Sequence, residues 1–214
     1  MNLETVTNWI IATGTIALCI SVVISWLGSI HRQEVSWSVS SGWFALPPWA
    51  QVVLGFAGIA LFIWFGFLLW IPLPLQLPEL VISLTRPAGL IIFLDGLFLT
   101  LWARWALGAM YGVSTGSSAP LQEKHRLIQR GPYTFIRHPM YLGYWLVMLG
   151  VLLTYRTWTP LLLLIMTVPS FHRRARREEI SLGEIFGEEW QTYVKHVPMF
   201  LPDWKINRKS RTEN

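Results

Sequence analysis

The amino-acid sequence predicts an all-α, polytopic membrane bundle of about five transmembrane helices. The last two form a short C-terminal helical hairpin that leads into an amphipathic cytoplasmic tail. Three observations carry this. Apolar side chains fill 53% of the 214 positions, against 17 Lys and Arg and 12 Asp and Glu. Runs of about 20 apolar residues recur, the length a helix needs to cross a hydrocarbon core of about 30 Å with its own backbone satisfied. Trp9, Trp26, Trp43, Trp49 and Trp70 fall near the ends of those runs, where an indole buries its ring and keeps its N–H among head groups.

Residues 7–27 and 52–71 carry no charge and read as the first two spans. Residues 87–107 form the third, which holds Asp95 and Arg104. An ionisable group at membrane depth is costly unless it faces protein or water, so Asp95 is expected to have a partner, with Arg104 the candidate. Residues 140–155 and 159–171 are apolar but only about 13 to 16 residues long, at or below the usual length of a full span. They read as two short helices folded into a hairpin, with Pro160 in the first turn of the second, where a missing N–H costs nothing.

Basic residues orient the bundle, since Lys and Arg accumulate in cytoplasmic loops. One side holds Arg32, then five between Arg104 and Arg137, then nine beyond Phe171; the other holds Arg86 and Arg156. The N-terminus is therefore expected outside, and the loop before the hairpin and the whole tail in the cytoplasm. The net charge of +5 is a topology signal of this kind. It does not suggest nucleic acid, because the basic residues flank spans, where anionic head groups attract them. No Lys or Arg precedes the first apolar run, which lacks the positive leader of a secretory signal and is expected to be retained. Cys19, the only cysteine, lies in mid-span and reads as a small apolar residue. The five histidines lack metal-ligand spacing, so no metal is expected.

Chemistry is unevenly distributed. Residues 1–103 read as membrane scaffold, residues 104–202 as the functional core, and residues 203–214 as a basic, flexible tail. Within the core two polar groups flank the hairpin, His125 to Tyr141 and Arg174 to Glu179. A hairpin returns the chain to the side it left, so groups about 50 positions apart can meet at one pocket. In the first, HRLIQRGPYTFIRHPMYLG, Gly131 and Pro132 enforce a turn, and Pro139 starts a helix while holding His138 extended. Tyr133 and Tyr141 offer rings to a purine or to a sulfonium cation; the same residues would equally serve as an interfacial aromatic belt. In the second, Arg174 and Glu178 share a helix face. They are either a surface ion pair, worth about 0.3 to 0.5 kcal/mol, or a ligand-binding pair, the carboxylate for amino or hydroxyl groups and the guanidinium for an anion. The tail's apolar positions, Ile180, Leu182, Ile185, Phe186, Trp190 and Val194, follow helical spacing and break at Gly187.

RHPMYLG, preceded by GPY and followed past the hairpin by EEISLGEIFGEEWQTYVKHVP, resembles the signature of the isoprenylcysteine carboxyl methyltransferase family and its phospholipid methyltransferase relatives. The resemblance covers about residues 104–202. It implies S-adenosylmethionine bound through His125, Arg126, Leu127 and Ile128, through Tyr133, through the HPxY element His138, Pro139, Met140 and Tyr141, and through Glu178, with Arg174 against the substrate. A glutamine that eukaryotic members use upstream would fall near Ser118, a departure. The implied activity is methyl transfer to a lipid-like or prenylated acceptor at the cytoplasmic face, with carboxyl methylation of an isoprenylcysteine-like group first and phospholipid N-methylation second. Two other readings compete. A sterol-reductase-like enzyme would share the tail but need a nicotinamide site, and no glycine-rich dinucleotide fingerprint occurs. A scaffold whose tail binds anionic lipid would need no cofactor at all.

Overall fold

A computed structural model of the chain describes residues 2–32, 46–108 and 126–201. His125, Ser118 and the tail 203–214 lie outside the described residues. Among the described residues five α-helices follow one another: α1 (Leu3–Arg32), α2 (Pro48–Leu68), α3 (Glu79–Leu107), α4 (Pro139–Tyr155) and α5 (Trp158–His196), with a 3-10 turn at Gly131–Thr134. Segments Glu4–Ile24, Trp49–Leu68 and Glu79–Leu107 are long and apolar enough to cross a membrane, and α4 is a shorter apolar helix. The chain is an integral membrane protein built as a helical bundle.

Its axis is the antiparallel pair α3 and α4. Lipid tails are as apolar as leucine, so helices associate in a membrane where small residues let backbones approach closely. Gly89 and Gly96 on α3 meet Gly150 and Gly143 on α4. A Cβ on Gly96 would lie 2.6 Å from the Val147 nitrogen and 2.7 Å from the Gly143 carbonyl; one on Gly143 would overlap Thr100 Oγ1. Thr100 and Thr154, both buried, return their hydroxyls to the carbonyls of Gly96 and Gly150, each at 2.8 Å. Phe93 fills the centre of this seam with Ile11 and Leu18 of α1 and Val147 of α4.

The expected pair of two short hairpin helices is corrected in one respect. The second continues past residue 171 into the tail as far as Phe186, where Gly187, at φ 48° and ψ −118°, breaks it from a last short helical stretch that ends at His196. Nothing between residues 171 and 172 stops a helix, because the polar run HRRARREE consists of good helix formers; the change there is of solvent, not of backbone. Pro160 sits in the first turn, as anticipated. Beyond Gly187 the helix turns back, and Trp190, Tyr193 and Val197 bury themselves with Leu127.

Asp95 and Arg104 are not partners. Nine residues along a helix amount to a half-turn offset, which puts them on opposite faces of α3. Asp95 is exposed among apolar neighbours, while Arg104 donates to the carbonyl of Ser21 on α1.

Candidate functional site

The site is assembled where α4 begins and α5 leaves the apolar segment. Gly131 takes φ 63°, turning the chain into the 3-10 turn. His138, at φ −123° and ψ 59°, is not extended as the sequence suggested but acts as the N-cap of α4, whose first residue is Pro139. Two backbone hydrogen bonds fix this entry against the chain's end: Arg137 N–H donates to the Pro198 carbonyl at 2.9 Å and His138 N–H to the Met199 carbonyl at 3.1 Å.

From that frame His138 and Tyr141 project towards α5, their rings stacked 5.7 Å apart, and Phe171 stacks on Tyr141 at 5.0 Å. Glu178 is the centre. Its Oε1 accepts from Tyr141 OH at 2.6 Å and from Arg174 Nε at 3.3 Å, and its Oε2 lies 3.7 Å from His138 Nδ1. Glu179, one residue on, faces the other side of the same imidazole, 3.2 Å from Nε2, and accepts from Arg137 Nε at 2.8 Å. Arg137 also donates to the Val194 carbonyl at 3.4 Å and to that of Val197.

The two carboxylates are pushed in opposite directions. Burial raises the Glu178 pKa above the ordinary value, only partly offset by Tyr141, His138 and Arg174. Burial also acts to raise Glu179, but the hydrogen bonds and charges of His138 and Arg137 outweigh it and hold the group below its ordinary value. Burial works against the Arg174 cation, and Tyr141 and Glu178 more than compensate. A buried or half-buried set of two guanidiniums, two carboxylates and one imidazole thus lies within hydrogen-bonding reach of itself, at the edge of an apolar groove. That groove, about 500 Å³, is lined by Leu142, Trp145, Val168, Pro169, His172 and Phe200 among others. Trp145 Nε1 is buried there with no hydrogen-bond partner.

The residues singled out in the sequence divide three ways. His138, Tyr141, Arg174 and Glu178 converge on one carboxylate. Tyr133, Ile128 and Met140 pack instead against Ala103 and Ala106 of α3, and Pro139 is fully buried beneath the α4 entry. Leu127 belongs to the Trp190 cluster, and Arg126 is exposed. Tyr133 is tied to the site indirectly: Tyr193 OH donates to its carbonyl at 2.6 Å. Arg137, Phe200 and Tyr193 were missed by sequence reasoning. For Arg137, its place beside His138 was the available signal. Phe200 and Tyr193 gave none, since their roles depend on the fold-back at Gly187.

The profile of the family described as phospholipid methyltransferase matches residues 84–189. Protein-S-isoprenylcysteine O-methyltransferase of Rattus norvegicus is 35% identical over 131 residues, covering 58% of this chain and 44% of the relative. The Xenopus laevis protein of the same name is 40% identical over 85 residues, 37% of this chain and 28% of the relative. That of Schizosaccharomyces pombe is 32% identical over 79 residues, 36% of this chain and 34% of the relative. The chain therefore spans less than half the length of these curated relatives. No solved structure matches it. The profile takes in the α3–α4 seam, the HPxY entry and the Arg174–Glu178 pair together, and by that match the chain belongs to the phospholipid methyltransferase family.

Proposed function

We propose that the protein is an S-adenosylmethionine-dependent methyltransferase that methylates the carboxylate of an isoprenylcysteine-like, lipid-anchored acceptor. The observation that carries this is the single carboxylate, Glu178, shared by Tyr141, Arg174 and His138 beside an apolar groove. The donor set suits the cofactor. A carboxylate can accept from amino or hydroxyl groups, the His138, Tyr141 and Phe171 rings offer faces to a purine or a cation, and no metal ligand is required.

S-adenosylmethionine supplies a methyl group already activated on sulfur. The chain's own contribution is then alignment and charge, and good alignment can lower a barrier by about 7 to 11 kcal/mol. Arg174 holds the acceptor carboxylate by its planar fork without neutralising its lone pairs. A carboxylate acceptor carries no proton on its attacking oxygen, so the chain would need no general base for the transfer. The lipid tail lies in the groove, where the unpartnered Trp145 N–H leaves a donor for a polar atom of the bound molecule.

Sidedness supports the same reading. With the basic loops and α5 tail in the cytoplasm, the site opens where a water-soluble methyl donor is available, and the N-terminus lies outside. Phospholipid N-methylation is the second reading, favoured by the raised Glu178 pKa, since an amine acceptor must lose a proton to a base. A methyl-transfer assay of purified protein against a prenylated thioether carboxylate and phosphatidylethanolamine separates them. Turnover of the carboxylate alone supports O-methylation, turnover of the amine alone supports the second, and no saturable S-adenosylmethionine binding at micromolar concentration rejects both.

A further inference from the structure

At the opposite end of the bundle the structure builds a second polar site that takes no part in the chemistry above. Arg86 and Arg156 are the two basic residues that the sequence leaves on the non-cytoplasmic side, 70 positions apart. The fold brings Arg156 to the turn of α3 that carries Arg86. Arg156 Nη1 lies 3.5 Å from Oγ1 of Thr85, the neighbour of Arg86, and 3.1 Å from the Leu153 carbonyl. Arg86 Nη2 reaches Glu4 Oε1 of α1 at 3.3 Å, and Tyr155 OH donates to Asn8 at 2.8 Å. Burial, and then the charge of Arg86, lower the pKa of Arg156, so the two guanidiniums repel each other.

Among the described residues one carboxylate faces this pair. Glu79, the other acid at this end of α3, is seven residues and about 10 Å along the helix from Arg86 and makes no ion pair with it. The site carries one uncompensated positive charge. Arg156 also occupies the left-handed C-cap of α4, at φ 52° and ψ 46°, a position that favours glycine because a side chain there is strained. A strained residue that offers a guanidinium to a charge-deficient cluster suggests a use for that group.

We propose that Arg86 and Arg156 hold the phosphate of a phospholipid head group in the leaflet opposite the methyl-transfer site. The depth argues for a lipid source. Trp70 and Trp158 flank the pair, 44% and 38% exposed, and Trp70 packs on Tyr155 at 5.3 Å; tryptophan in this setting marks the membrane interface. Just below, Phe67 in the last turn of α2 presents its side chain to the acyl region, 83% exposed. A phosphate here bridges two guanidiniums that otherwise repel, in the forked geometry arginine favours.

Native mass spectrometry and thermal unfolding of the full chain in a maltoside detergent test this, with phosphatidylglycerol, diacylglycerol and inorganic phosphate added separately. Wild type is expected to retain one phospholipid and to unfold at higher temperature with phosphatidylglycerol but not with diacylglycerol. Arg156→Gly removes the guanidinium and relaxes the backbone, so it should fold at least as well without lipid yet lose about ten-fold in retention. Glu4→Gln removes the competing carboxylate and should strengthen retention about three-fold, which a purely structural ion pair would not do. Equal stabilisation by diacylglycerol, undiminished retention in Arg156→Gly, or saturation by inorganic phosphate in place of lipid would each overturn the assignment.

Discussion

Tyr141 donates its phenolic hydrogen to Glu178 across 2.6 Å and 37 positions of sequence, joining the first turn of α4 to the part of α5 that has just left the apolar segment. Hydrogen bonds to charged acceptors are worth about 1.5 to 3 kcal/mol. Tyr141→Phe should therefore weaken S-adenosylmethionine binding about ten-fold, measured by calorimetry, while Glu178→Ala should abolish it at micromolar cofactor. Unchanged affinity in both variants would remove Glu178 from the cofactor site.

Arg174 contacts the same carboxylate and is 37% exposed. Arg174→Ala is expected to reduce turnover of a carboxylate acceptor by about 100-fold while changing cofactor affinity less than about five-fold, the signature of an interaction spent on the acceptor. Arg174→Lys should recover little, because an ammonium cannot replace the fork. Equal losses in binding and turnover would mean that Arg174 serves the cofactor instead.

Adjacent carboxylates should give opposite pH dependences. The folded pKa of Glu179 is depressed, so its contribution to stability is present above the unfolded carboxyl value of about 4.3 and is lost as pH falls through the folded value. Glu178 is raised, so its contribution is present below the unfolded value and is lost as pH rises through the folded one. Thermal unfolding followed from about pH 3 to about pH 7 should show Glu179→Gln flattening the acid side of the curve and Glu178→Gln the side above it. Identical profiles in the two variants would contradict the assigned shifts.

The seam between α3 and α4 has no room for side chains. Gly96→Ala places a Cβ 2.6 Å from the Val147 nitrogen, where backbone, not a flexible side chain, must move. Overpacking of this kind costs about 1 to 3 kcal/mol, and Gly96→Leu should prevent assembly of the site altogether. At Gly58, where a Cβ meets nothing within 4 Å, alanine should be tolerated. Detergent-solubilised unfolding temperatures for the three variants check the contrast.

Sequence by itself determined the spans, since an apolar run long enough to cross a bilayer has few other solutions, and it located the site's two polar groups because a hairpin must return to its starting side. His138, Tyr141, Arg174 and Glu178 were legible for that reason. Tertiary structure decided what distances do not reveal along a chain. It sent Tyr133 into the α3 core, brought Arg137 onto Glu179 and Phe200 onto His138, and paired glycines of α3 with glycines of α4. These depend on helix phase and on the turn-back at Gly187, where a small rotation reassigns every neighbour. The charge of Arg86 and Arg156 was visible from the start, but only packing could show that Arg156 comes to the turn of α3 that carries Arg86.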